Sequence, residues 1–300
     1  MSFLLNNGVR IPAIGLGTWQ SKPNDVYNAV LTALKTGYTH IDTAYVYRNE
    51  KEVGQAIKDS GIPRERLFIT TKLWNTSHRP ELVEEAITVS LTNLQLEYVD
   101  LYLMHWPIAF QPSKYSIPKT ADGRVALDWT VDFVDTYKAM EKLVKNKKAR
   151  AIGVSNFNKQ NLQKLLKSCN IIPAVNQVEM HSYLPQPDLL QFCQSKQIHV
   201  TAYSPLGSTN SPIMEEPLVL KIAQKYNITQ AQVLLSWGIQ RGCSVIPKSV
   251  TASRIVSNFK TVKLDREDFE QLQTLKGIDE PERLLDPSSI WGVEIYKPKL

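Results

Sequence analysis

Four side chains that together can move a proton onto an oxygen fall within the first 105 residues: Asp42, Tyr47, Lys72 and His105. A phenol with a pKa of about 10 is a poor acid at neutral pH. An ammonium beside it favours the phenolate and lowers that pKa. Lys72 is therefore expected to activate Tyr47, Asp42 to pair with Lys72 and hold it, and His105 to orient a carbonyl oxygen. Such a set suits proton donation to oxygen as a hydride arrives at carbon. Each residue also has a plainer reading, since a lone strand-end Asp is commonly a cap or an ion pair. The joint occurrence, with Tyr47 at its offset from Asp42, carries the chemistry. His40 and Asp42 form a His-x-Asp pair that alternation sends to one side, but no Glu or second His-x-His completes a hydrolase site. No metal is expected.

These residues sit at the ends of short apolar runs. Eight such runs, at 13–17, 39–42, 67–72, 99–105, 149–155, 174–179, 199–204 and 244–248, alternate with helix-period segments. The segments are 25–36, 49–60, 79–93, 131–145, 158–168, 188–196, 217–226, 229–241 and 251–258. Strand–helix alternation argues for parallel strands with crossover helices. Eight units predict an α/β chain folded as a single (β/α)8 TIM barrel, one domain over 1–300. Residues 3–10, centred on Asn6-Asn7-Gly8, read as a hairpin before the first barrel strand. Residues 107–130 and 204–217 read as long rim loops. Strands buried on both faces should stay apolar, yet here they close in polar groups: Asp42, Lys72, His105, Ser155-Asn156, Gln177, Tyr203-Ser204 and Lys248-Ser249. In a barrel those ends converge on one rim, where active sites sit. Trp19, Trp74 and Trp106, each at a strand end, would make an apolar funnel above it, which Trp129 and Trp291 could close.

Composition narrows the class. The 300 residues carry 35 Lys+Arg against 29 Asp+Glu, a net charge of +6 that suits an anionic small molecule as readily as a nucleic acid. The basic stretch 138–150 lacks interleaved stacking aromatics and reads as a helix end whose cations offset the macrodipole. No nucleic-acid partner is expected. No run approaches the roughly 18 apolar residues of a membrane span, and no signal-peptide core follows Met1. Three cysteines, Cys169, Cys193 and Cys243, fit neither a disulfide scaffold nor a zinc motif and point to a reducing, cytoplasmic setting. The final Pro298-Lys299-Leu300 ends like a peroxisomal address, with Pro298 in place of the usual small residue. His181 and His199 read as structural, Trp237 as core, and Glu179 as either a rim residue or a buried carboxylate. A monomer is expected, with a dimer as the alternative.

Seven segments in order carry a resemblance: Gly15-Leu16-Gly17-Thr18-Trp19, Gly37-Tyr38-Thr39-His40-Ile41-Asp42-Thr43-Ala44, Tyr47-Arg48-Asn49-Glu50, Asp100-Leu101-Tyr102-Leu103-Met104-His105-Trp106-Pro107, Ile152-Gly153-Val154-Ser155-Asn156-Phe157, Asn176-Gln177-Val178-Glu179 and Ile246-Pro247-Lys248-Ser249. The chain resembles the aldo-keto reductase family over nearly its whole length, and within it the fungal glycerol dehydrogenase and glyceraldehyde or xylose reductase types. The resemblance implies NADPH-dependent, reversible reduction of aldehydes and ketones, with Asp42, Tyr47, Lys72 and His105 as the catalytic tetrad and Tyr47 as general acid. It implies an extended NADPH/NADP+ across the rim without a Rossmann motif. Ser155, Asn156 and Gln177 would hold the carboxamide and Tyr203 would stack on the nicotinamide. Thr18 and Asp42 would lie at its edge, and Ser204, Leu206 and Ser208 would cover the pyrophosphate. Lys248, Ser249, Val250 and Arg254 would take the 2′-phosphate end, and Asn258 the adenine. Ser257 stands where the family often has Glu, a departure at the adenine side. The substrate site implied is Trp19, Trp74, His105, Trp106 and Trp291. An alternative from another class, an idle NADPH-binding regulatory or structural protein on the same fold, is disfavoured by the intact tetrad.

Overall fold

A computed structural model of the chain describes residues 1–208, 211–275 and 281–296. Pro298-Lys299-Leu300 lies outside the described residues, as do 209–210 of the loop expected at 204–217. Two short strands, β1 (Ser2–Leu4) and β2 (Arg10–Pro12), pair antiparallel around a turn at Asn6-Asn7-Gly8. Gly8, at φ +83°, takes the left-handed conformation the turn requires. Eight parallel strands follow: β3 (Leu16–Gly17), β4 (His40–Asp42), β5 (Phe68–Leu73), β6 (Val99–Met104), β7 (Ala149–Ser155), β8 (Val175–Glu179), β9 (His199–Tyr203) and β10 (Ser244–Val245). Their spatial order is their chain order. Bridges from Ile14 to Val245 and from Gly17 to Lys248 join the last strand to the first and close the barrel.

The helices lie between strands as the alternation predicts: α1 (Pro23–Thr36), α2 (Glu50–Asp59), α3 (Val83–Leu94), α4 (Phe133–Lys145), α5 (Lys159–Leu166), α6 (Pro187–Ser195), α7 (Pro217–Tyr226), α8 (Gln230–Gln240) and α9 (Ala252–Asn258). In α1, Val26, Ala29, Val30, Ala33 and Leu34 are buried at helical spacing, and Gly37 ends the helix at φ +111°. Thr229 and Gln232 form a capping box that starts α8. Two helices fall where none was expected: α10 (Arg266–Gln273) and the single-turn α11 (Ser288–Trp291). In α10 only Phe269 and Leu272 are apolar.

The long loop at 107–130 is folded on itself by bridges between Phe110 and Leu127 and between Lys119 and Val125. Its buried Asp128 accepts from Arg79 Nε at 2.8 Å. The hairpin lies across the opposite end. There Leu5, Ile11, Phe68, Leu101, Leu103, Ala151 and Val175 form an apolar floor. Asn6 and Asn7 donate to the carbonyls of Pro173 (3.1 Å) and Arg150 (3.0 Å). The three cysteines are free thiols. Among the described residues, no helix is long and apolar enough to cross a membrane.

Candidate active site

Lys72 is wholly buried at the end of β5. Its Nζ donates to Asp42 Oδ1 at 2.6 Å and to the Thr43 carbonyl at 2.9 Å, and lies 3.5 Å from the Tyr47 hydroxyl. Asp42 Oδ2 accepts from Gln177 Nε2 at 2.7 Å, so a residue from across the barrel fixes the carboxylate. Burial alone would push the Lys72 ammonium down, but Asp42 and Tyr47 outweigh it and its pKa is raised. The Lys72 ammonium therefore stays charged in a dry place because its hydrogen bonds are met.

Tyr47 corrects one expectation. Lys72 does pull its pKa down, but burial is the larger effect, Asp42 opposes Lys72, and the phenol ends above its usual value. The hydroxyl is held protonated at neutral pH. Facing it, the His105 ring lies 5.7 Å from the Tyr47 ring. Burial, aided by Lys72 and His78, drives the His105 pKa well below 6.5, so the imidazole is neutral. Among the described residues its Nδ1 has no hydrogen-bond partner.

Asn156 organises the next sector of the rim. It sits at φ +63°, a conformation Asn tolerates better than most residues. Its Nδ2 donates to the His105 carbonyl (2.9 Å) and to Ser155 Oγ (3.2 Å). Its Oδ1 accepts from Tyr203 (2.7 Å) and from Tyr296 (3.1 Å). Ser155 Oγ donates to the Gln177 carbonyl at 2.8 Å. Thr18 Oγ1 donates to the Asp42 carbonyl at 3.1 Å. Ser204 follows at φ +47°, turning the chain into the half-buried Leu206 and Ser208. Farther out, Lys248, Val250 and Arg254 are exposed, Ser249 Oγ accepts from the Thr251 N–H at 3.1 Å, and Asn258 is buried.

Above His105 lies an aromatic box. Trp74 meets His105 (5.2 Å between centroids), Phe110 (6.0 Å) and Trp291 (6.3 Å), each edge to face. Trp106 stacks along His105 and meets Trp291 at 5.0 Å. The indole N–H of Trp74 donates to the Ser116 carbonyl at 2.6 Å, tying the long loop to the box.

Residues 13–212 match the sequence model of the Aldo/keto reductase family. The chain belongs to that family. It is 51% identical to glycerol 2-dehydrogenase (NADP(+)) of Saccharomyces cerevisiae, over 98% of this chain and 96% of that one. An aldehyde reductase of the same yeast is 46% identical over 96% of this chain and 94% of its own length. A solved aldose reductase from Schistosoma japonicum superposes with a TM-score of 0.94 at 43% identity, covering all of this chain and 99% of that one.

As a family member, the chain brings together Asp42, Tyr47, Lys72, His105, Ser155, Asn156, Gln177, Tyr203, Trp74, Trp106 and Trp291. Trp19 stands apart from the packed box and is 39% exposed. Trp129 is 69% exposed. The sequence reading does not include Phe110, Ile295 and Tyr296, which pack with the box. Tyr296 reaches the site over a separation of 140 residues, for which a single sequence offers no signal. His40 lies 3.1 Å from the Thr70 hydroxyl, and among the described residues no group of His, Cys, Asp or Glu could hold a metal. The donor set fits a nicotinamide cofactor: side-chain amides and a hydroxyl converge beside Tyr203, and exposed cations lie beyond them.

Proposed function

We propose that this chain reduces aldehydes and ketones to alcohols with NADPH, reversibly, and that Tyr47 is its general acid. The observation that carries the reading is the Tyr47 hydroxyl, protonated, 3.5 Å from Lys72 Nζ at the foot of an aromatic box. NADPH, when bound, supplies a hydride to the carbonyl carbon. The side chains do the rest. His105, neutral, is suited to orient the carbonyl oxygen toward Tyr47. The Tyr47 hydroxyl gives its proton to that oxygen, and Lys72 stabilises the phenolate left behind. Asp42, itself held by Gln177, keeps the ammonium in place. In the reverse direction the phenolate takes the alcohol proton.

Ser155, Asn156 and Gln177 are assigned to the carboxamide, with Tyr203 on the nicotinamide face and Thr18 at its edge. Ser204, Leu206 and Ser208 are assigned to the pyrophosphate, Lys248, Ser249, Val250 and Arg254 to the 2′-phosphate, and Asn258 to adenine. The exposed cations Lys248 and Arg254 support NADPH over NADH, as does the NADP(+) in the yeast relative's name. Trp74, Trp106 and Trp291 form the substrate walls, with Trp19 at the lip. The free thiols support a cytoplasmic setting, and a monomer is the working state.

The test is NADPH oxidation with glyceraldehyde, xylose and an aromatic aldehyde, with Tyr47→Phe alongside. The wild type should turn over, the variant should lose about 10²–10⁴-fold in kcat, and the KM for NADH should exceed that for NADPH. Tight NADPH binding with no turnover of any carbonyl would defeat the reading.

A further inference from the structure

Two residues beyond Gln177, on the same face of β8, Glu179 is fully buried. A carboxylate sealed from water needs its lone pairs met by fixed donors. Those donors come from the C-terminal tail. Glu179 Oε1 accepts from the Leu284 N–H at 2.7 Å, and Oε2 from the Leu285 N–H at 3.0 Å. His181 Nε2 lies 2.9 Å from Oε1, and Arg283 Nη1 lies 3.9 Å from Oε2. The next contacts reinforce the join. The Glu282 N–H donates to the Tyr183 carbonyl at 2.8 Å, and Gln186 Nε2 donates to the Glu179 carbonyl at 2.6 Å.

The tail has little structure of its own to hold it, since α11 is a single turn. What it carries is nevertheless placed closely. Arg283 lies 3.6 Å from the Tyr296 ring centroid, Tyr296 donates to Asn156, and Trp291 packs on Trp74, Trp106 and Phe110. A pocket wall on an irregular segment is only as precise as the contacts that anchor the segment.

We propose that Glu179 is a positioning residue for the substrate pocket: its buried carboxylate fixes the tail at 284–285 and thereby seats Trp291 and Tyr296 across the mouth of the site. One strand then serves both halves of the site, Gln177 bracing Asp42 and Glu179 bracing the wall above it. The role in the pocket rests on the carbonyl-reduction reading; the tether itself does not.

The test uses full-length Glu179→Ala and Glu179→Asp with saturating NADPH. Residue-resolved hydrogen exchange should show the amides of 284 and 285 losing protection in Glu179→Ala, while those of β6 keep theirs. The KM for 4-nitrobenzaldehyde should rise about tenfold with kcat changed less than about threefold, and Glu179→Asp should recover part of the loss. In a Trp291→Ala background, Glu179→Ala should add less than about threefold, because both act on one wall. If Glu179→Ala does not fold, Arg283→Ala, from the tail side of the same tether, should raise KM in the same direction. Retained protection at 284–285 would overturn the tether. Lost protection with unchanged KM, or fully additive effects with Trp291→Ala, would overturn the positioning role alone. A wild type that reduces no aldehyde would instead overturn the functional reading beneath it.

Discussion

Two buried acidic residues sit at opposite ends of barrel strands β4 and β6, with β5 between them, and they are used in opposite ways. At the floor, Asp100 begins β6 and is saturated: Arg64 Nη2 at 2.7 Å, Arg150 Nη1 at 2.9 Å and the Ile69 N–H at 2.9 Å. Both guanidinium groups are partly open to water, so the cations keep some hydration while the carboxylate stays dry. At the rim, Asp42 and Lys72 are both sealed, and the third direction from Lys72 Nζ ends 3.5 Å from a phenol. The floor cluster holds strands together. The rim pair holds charge beside a proton that can leave. A buried ion pair is thus weak evidence for function by itself; what marks the rim pair is a titratable group left under-bonded against it.

The sharpest way to break this contrast is to remove one member at each end. Lys72→Met should lower kcat for aldehyde reduction by about 10²–10⁴-fold, measured at saturating NADPH, because the phenolate then has no cation. Asp100→Ala should lower unfolding free energy by about 2–4 kcal/mol in urea melts and leave kcat nearly unchanged. A parallel fall in kcat would show that the two ends are not separable.

A pH-dependent effect acts at both ends through buried neutral histidines. Burial lowers His40 to about 3, with help from Lys72, His78 to about 3, and His199 to about 4, with help from His40. Unfolded histidine titrates near 6.5, so between these values the unfolded chain binds more protons. The stability from these groups is complete above about pH 6.5 and is lost as pH falls toward 3–4, by about 1.4 kcal/mol per unit for each histidine. With His105, also lowered well below 6.5, urea melts between pH 7 and 4.5 should show proton uptake on unfolding above three.

The candidate rim was legible because a polar residue at the end of an apolar strand is conspicuous, and seven strands do the same thing. Residues 149–155 were bounded as β7 is, and the other strands to within a few residues, since burial on both faces leaves a continuous apolar signature. The rest was hidden for physical reasons. Whether Tyr47 ends above or below its usual pKa depends on how much water burial removes, which no spacing reports. Trp129 and Trp291 are alike in sequence, yet one is largely exposed and the other buried, because the tail packs and the loop folds back on itself. Glu179 was ambiguous since its donors lie about a hundred residues away.

The hairpin of β1 and β2 also decides traffic. With Leu5 and Ile11 stoppering the floor and Asn6 and Asn7 stitched to the strand ends around them, that end of the packed barrel is covered. Ser155, Asn156 and Gln177 lie at the other end, while Trp106 and Trp291 stand at its lip. A ligand held at Ser155, Asn156 and Gln177 would lie at the same end of the barrel as one held between Trp106 and Trp291.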